Sequence, residues 1–361
     1  MDTSFNLVLG ISGLLCGASL GFIIQRSRFC MTAIVSNYVL LRDTRQFHTY
    51  MIAILIAIMG VFFLDYTGTV SINNSVYLKS DIHLLSSILG GLLFGIGAVM
   101  TGGCIGRILS LTGEGNLGAL LALLTISLGA TTVYTGILEP LRIWIYNIAV
   151  IDTEETSILT LTQLPDWQFI LILLLMSSAA IYICCRNKLD RSFVFAGIGI
   201  GLLVITGWWV TGNLTIDEFS NQRPSSLTFS GPLVNASLYV TVGNDPQNLF
   251  GVMLVIGVLL GSLISSVSSG HFHITTINSD SFMRIFNGGI FMGVGAILAG
   301  GCNIGQGLTG LSTLSIQSIL VVVCIFTGMY AGVKWLQYKE SHSSIWLNIQ
   351  KYFNHSLHYS H

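Results

Sequence analysis

Three of the seven cysteines in this chain stand where a thiol could do chemistry. Gly102-Gly103-Cys104-Ile105-Gly106-Arg107 closes one apolar run, and Gly300-Gly301-Cys302-Asn303-Ile304-Gly305-Gln306-Gly307 closes another. The runs that lead to them, 90–104 and 288–302, are copies 198 residues apart: 8 of 15 positions are identical, including every glycine and the cysteine. Six of the seven differences exchange one bulky apolar side chain for another. A helix that enters such a glycine cluster can break, and a new half-helix can start at the cysteine. The first N–H groups of that half-helix are unpaired and carry the positive end of its dipole. They form an anion site without a full positive charge. A neutral thiol adds a weak S–H donor suited to a soft sulfur atom, whereas a thiolate would repel an anion. Close helix packing with cysteine as a small apolar filler is the plainer reading of one Gly-Gly-Cys. Its recurrence at matched positions favours a site.

Gln25-Arg26-Ser27-Arg28-Phe29-Cys30-Met31-Thr32-Ala33 brings charge beside a third thiol. Arg26 and Arg28 either anchor a membrane edge or attract an anion that Cys30 receives. The corresponding region of the second half, Ser268-Ser269-Gly270-His271-Phe272-His273, has histidines in place of arginines. His271 and His273 are costly in a membrane segment unless they face a cavity or a partner, so lining a site and packing both stay open. Glu114 either pairs with Arg107 or sits in a wet loop, and its glycine neighbours favour the loop. Cys16 and Cys324 read as packing residues, and Cys184 and Cys185, beside Arg186, as incidental. The absence of CxxC and of Cys/His zinc spacing points to free thiols, no metal site and no cofactor. No GxxxxGK[ST] motif is present, so the chain carries no ATPase of its own.

These thiols must be positioned by membrane helices. Charged residues make up 9% of the 361 and hydrophobic ones 52%, against about 25% charged in a soluble domain. Mean hydropathy is +0.76. The lipid bilayer is therefore the chain's surroundings, and a net charge of −1 argues against nucleic acid. Asp2 and the lack of an early Lys or Arg argue against a cleaved signal peptide. Apolar runs fall at 6–24, 50–66, 84–102, 117–138, 168–185, 193–212, 249–267, 285–300 and 316–336. They predict an all-α integral membrane protein with about nine transmembrane helices. Shorter pieces at 28–41, 104–112, 270–281 and 302–313 read as half-helices or re-entrant turns, tolerated only where buried or lining a cavity. The 198-residue copy predicts two pseudo-symmetric inverted repeats that bring Cys104 and Cys302 together near mid-membrane. The expected division is 1–140 for the first repeat, 141–248 for linker helices and external loops, 249–340 for the second repeat and 341–361 for a tail. Arg42, Arg45, Arg186, Lys188, Arg191, Lys334, Lys339 and Lys351 mark cytoplasmic segments, with 139–166 and 213–248 as external loops. That puts the N-terminus outside and the C-terminus in the cytoplasm. His342, His355, His358 and His361 in the tail build no compact metal site.

Arg-x-Arg-Phe-Cys-x-x-Ala, Gly-Gly-Cys-x-Gly-Arg and Gly-Gly-Cys-Asn-Ile-Gly-Gln-Gly-Leu-x-Gly, in that order, resemble the YeeE/YedE sulfur-transport family in its fused two-repeat form, from about 6 to 336. The resemblance implies thiosulfate uptake across the bacterial inner membrane and places the family's three functional cysteines on Cys30, Cys104 and Cys302. It further implies a small TusA-like cytoplasmic sulfur-carrier protein as a partner. The pathway residues expected are those cysteines with Gly102, Gly103, Gly300, Gly301, Arg26, Arg28, Arg107, His271, His273 and Gln306; no catalytic residues are expected. A dianion is expensive to desolvate, and a deep cationic trap would not release it. Several modestly attractive sites suit conduction, so the intact ion is expected to pass from thiol to thiol. A membrane thiol redox or sulfurtransfer enzyme and a carrier for a selenium compound are the alternatives.

Overall fold

The computed structural model describes residues 3–78, 81–152, 190–214, 223–243, 249–277 and 279–357, with Ser157, Gln168, Leu175 and Ser178. Helix dominates, as the composition requires in a bilayer, where every backbone polar group must be paired within its own segment. Eight helical spans among the described residues are long and apolar enough to cross a membrane. They coincide with eight of the nine apolar runs; the ninth, 168–185, and with it Cys184 and Cys185, lies outside the described residues.

The chain opens with α1 (Thr3–Ser27), the half-helix α2 (Met31–Leu41) and α3 (Arg45–Tyr66). Next come α4 (Leu84–Thr101), the half-helix α5 (Ile105–Gly113) and α6 (Leu117–Tyr134). The later part contains α8 (Arg191–Leu214), α10 (Leu249–Ser268), α11 (Ser279–Leu298) and α12 (Ile316–Leu357). Between α11 and α12 a helical stretch spans 303–312, with π geometry over Gly305–Gly310.

Several sequence expectations need correction. The 139–166 stretch is no simple loop: it holds α7 (Glu139–Ile148) and a strand, β2 (Val150–Asp152), paired antiparallel with β1 (Asp81–His83). Pro140 suits the first turn of α7, because proline's missing N–H would be unpaired there anyway. The 213–248 stretch likewise contains a 13-residue helix, α9 (Ser230–Val242). At 270–277 no half-helix forms. Instead Thr275 N–H donates to Gly115 C=O and Leu117 N–H to Thr275 C=O, stitching this segment to the turn before α6. Finally, α12 runs 42 residues, so the helix continues far beyond 336.

The copied segments end alike. Gly102 and Gly300 adopt the left-handed conformation, at φ 87° and 68°, which glycine enters without steric cost. Gly103 N–H reaches back to Ala98 C=O at 2.9 Å, and Gly301 N–H to Ala296 C=O at 2.8 Å. Their packing is reciprocal as well. Gly97 abuts the backbone of Gly288 and Met292, while Gly295, its copy, abuts Gly90 and Phe94, the copies of those residues. Gly129 on α6 lies against Ile290, and Gly328 on α12 against Leu92, again matched positions. Such reciprocity is what a two-fold relation between like surfaces produces. A second glycine seam joins α1 and α10: Gly17 and Gly21 meet Leu254 and Val258, while Gly257 and Gly261 meet Leu14 and Ala18. Small residues at such seams let backbones approach where lipid gives no hydrophobic drive between helices.

Candidate functional site

All three thiols singled out in the sequence stand at the start of a half-helix. Cys30 is the N-cap of α2 with extended backbone, and Cys104 is the N-cap of α5. Cys302 directly precedes the 303–312 stretch. Its carbonyl accepts from Gln306 N–H at 2.7 Å, and its Sγ accepts from Gly305 N–H at 3.3 Å. The sulfur thus occupies the place that a serine or aspartate oxygen takes in an ordinary N-cap. All three are buried and free of disulfide, as are Cys16 and Cys324.

The thiol pair in contact is Cys30 and Cys104. Their Sγ atoms lie 3.9 Å apart, nearly twice a disulfide bond of about 2.0 Å. Gly103 lies beside the pair: a Cβ there would stand 3.3 Å from Arg107 Cβ and 3.9 Å from Cys30 Sγ. The third thiol belongs to the neighbouring turn. Ile304 Cδ1 covers Gly106 in the first turn of α5, and Met31 Cε covers Gly307. The starts of all three half-helices therefore pack on one another.

The polypeptide breaks are held by side-chain amides. Gln46 on α3, which the sequence reading did not single out, spans the break between α1 and α2. Its Nε2 donates to Arg28 C=O at 3.1 Å and its Oε1 accepts from Cys30 N–H at 3.2 Å. That clamp holds Arg28 in the left-handed region, at φ 52°, where a residue with a Cβ is uncommon. Gln306 does the same after α11. Its Nε2 donates to the carbonyls of Ala299 (3.3 Å) and Gly300 (3.1 Å), and its Oε1 accepts from Ser318 at 2.6 Å. Gly301 leaves room for it, as a Cβ there would lie 3.0 Å from Gln306 Cγ. Both amide hydrogens are engaged, so Gln306 shapes the Cys302 turn rather than presenting a donor. Tyr50 holds the π segment by donating to Gly307 C=O at 2.7 Å. A π turn leaves backbone groups out of the regular ladder, and such turns recur at functional sites. Burial pushes the Tyr77 phenol above its ordinary range, so its hydroxyl stays neutral near Gly305.

The charged residues converge elsewhere on the same assembly. Arg26, Arg28, His271 and His273 line one cavity of about 450 Å³ with Gln25, Glu114, Ser268 and Ser269. Arg26 donates to Ser269 at 2.8 Å, and Ser265 donates to Gln25 at 2.6 Å, tying α1 to α10. Glu114 is not a free acid in a wet loop. It forms a 3.0 Å ion pair with Arg107, and both side chains are largely buried. Glu114 is the C-cap of α5, seven residues after Arg107 on the same helix, and burial makes pairing the cheaper state for both charges. Arg107 is thereby neutralised, and the cavity's positive character rests on Arg26, Arg28 and any charge on the histidines. Among the described residues no group of His, Cys, Asp and Glu could hold a metal ion.

Two relatives align over nearly the whole chain. The thiosulfate transporter TsuA of Escherichia coli (strain K12) is 28% identical over 355 residues, covering 92% of this chain and 96% of the relative. The thiosulfate transporter TsuA of Spirochaeta thermophila is 25% identical over 341 residues, covering 91% and 99%. The sulphur transport family matches residues 26–331, a span that contains all three half-helix thiols. With eight apolar spans among its described residues and that match, the chain is a multi-pass membrane protein that belongs to the sulphur transport family.

Proposed function

We propose that this protein imports thiosulfate, or a similar small sulfur oxyanion, by passing the intact ion between buried thiols at half-helix starts. The observation that carries the reading is the convergence of three free, buried cysteines, each heading a half-helix, with Cys30 and Cys104 in contact. With the N-terminus outside, a 25-residue α1 ends on the cytoplasmic side, so the cavity of Arg26, Arg28, His271 and His273 is where the anion leaves. The cavity adjoins Cys30 through Phe29, the single residue between Arg28 and that thiol. The ion passes between the Cys302 turn and the Cys30–Cys104 pair across the seam of Met31, Gly307, Gly106 and Ile304. Each thiol station offers partial charge and soft contact only, which suits an ion that must leave as readily as it enters. Gly102, Gly103, Gly300 and Gly301 allow the breaks, and Gln306 fixes the last one. The two relatives carry the name thiosulfate transporter, which favours that substrate over a selenium compound. The N-terminus lies outside the cell, the C-terminus in the cytoplasm of a bacterial inner-membrane protein, and a TusA-like carrier takes the product.

Serine at Cys30, Cys104 or Cys302 keeps a donor but offers a shorter, harder hydroxyl that holds water more firmly. Each single substitution is expected to lower thiosulfate-dependent growth of a sulfur auxotroph, and uptake into vesicles, by tenfold or more. Thiosulfate labelled differently on its two sulfurs should arrive in those vesicles with both labels together. Labels arriving separately, or one retained on a cysteine, would establish sulfur transfer instead of conduction.

A further inference from the structure

Asn303 follows Cys302 in the first turn of the 303–312 helix and is completely buried. Neither its Nδ2 nor its Oδ1 has a hydrogen-bond partner. Among the described residues seven buried side-chain atoms lack a partner, and Asn303 supplies two of them. Thr32 Oγ1 is another, on a residue 4% exposed, in the first turn of α2 behind Cys30. A buried polar group without a partner is costly, and native proteins rarely keep one that does nothing. The two helical stretches touch, since Met31 in the first turn of α2 packs against Gly307. Amide and hydroxyl thus lie one or two residues behind two of the three thiols.

We propose that Asn303, assisted by Thr32, takes the oxygen end of the transported anion while the thiols face its terminal sulfur. The proposal rests on the transport reading above and adds what selects the ion. Thiosulfate has a soft sulfur at one end and three hard oxygens at the other. Thiols match the first poorly hydrated end, whereas the oxygens want strong N–H and O–H donors. Asn303 Nδ2 carries two such hydrogens and Thr32 Oγ1 one. Both are uncharged, so they recognise the oxygens without trapping the dianion. Asn303 Oδ1 is left to accept a hydrogen from water that accompanies the ion. An ion without oxygens gains nothing from this pair, so the amide separates thiosulfate from hydrosulfide.

The test uses the purified full-length protein in detergent and radiolabelled thiosulfate, with Asn303→Leu and Thr32→Val, each close in shape to the residue it replaces. Asn303→Leu should weaken binding at least tenfold, and Thr32→Val about threefold. The thermal midpoint without ligand should stay level or rise in Asn303→Leu, because an unpartnered buried amide is removed. Hydrosulfide should compete with residual labelled binding as well in the variants as in the parent. Unchanged thiosulfate affinity in both variants overturns the proposal. A lowered midpoint or failure to fold in Asn303→Leu also overturns it, since the amide would then serve the fold. If the parent protein itself binds no thiosulfate, the transport reading fails first, and this inference with it.

Discussion

A thiol in a membrane interior is chemically quiet until its neighbours give it a direction. Cys302 is oriented by Gly305 N–H on its sulfur, and Cys104 by contact with Cys30 at 3.9 Å. The glycine before each thiol decides whether that direction is usable. At Gly103 any side chain beyond Cβ must pass Arg107 or the Cys30 sulfur, and at Gly301 it must displace Gln306, whose amide holds two carbonyls. Gly103→Leu and Gly301→Leu are therefore expected to abolish thiosulfate uptake while the protein still inserts, since the obstruction is local. Membrane-fraction immunoblots alongside uptake assays decide this. Normal uptake by both variants at equal expression would refute the idea that anion and backbone meet at these turns.

Half-helices are the elements that make the arrangement, and they were only partly legible in the sequence. Gly-Gly-Cys told of a break because glycine past a helix end is a local signal, so α5 and the stretch after Cys302 were anticipated. The same holds for α2, announced by the polar Arg26–Arg28 interruption. The segment around His271 does not declare its conformation locally, because that comes from a partner: it pairs with the turn at Gly115–Leu117, over 150 residues earlier. α7 and α9 leave little trace in the sequence because they are short and carry polar residues, so neither shows a spanning run. Gln46 was invisible for the same reason as the His271 segment, since its role depends on which backbone groups the fold brings to it. That role is testable. Gln46→Leu removes both bonds of the clamp over Arg28 and Cys30, each worth about 1 kcal/mol net, and strands a buried N–H. The thermal midpoint should fall, with transport reduced more steeply than stability. Gln46→Glu keeps an acceptor for Cys30 N–H and loses the donor to Arg28 C=O, so it should fall between the two in both measurements. Equal transport by Gln46→Leu and the parent would show that the break holds itself.

At the scale of the molecule, the proposed relay requires the two copied segments to hold their breaks in a fixed register, because a station that drifts by a turn would be lost from it. The seam between α4 and α11 is what sets that register. Gly97 meets Gly288 and Met292, and Gly295 meets Gly90 and Phe94, in contacts that repeat each other under exchange of the halves. These are backbone approaches, and backbone cannot yield as a side chain can. A larger residue at either position forces the helices apart, at about 1–3 kcal/mol for ordinary overpacking and more where backbone must move. The reciprocity makes a sharper demand than destabilisation alone. Gly97→Leu and Gly295→Leu act on copies of the same contact, so they should lower the thermal midpoint of the purified protein by similar amounts. Gly231→Leu, in α9 where a Cβ would meet nothing within 4 Å and the backbone is not left-handed, gives the baseline for a helical glycine without crowding. Combining Gly97→Leu with Gly295→Leu should cost less than the sum of the singles, because once one substitution has parted the seam the second finds space already open. A strong effect from one seam glycine and none from the other would mean that the halves are alike in sequence without sharing the load. Full additivity would mean that the two contacts act as separate joints rather than as one interface between like surfaces.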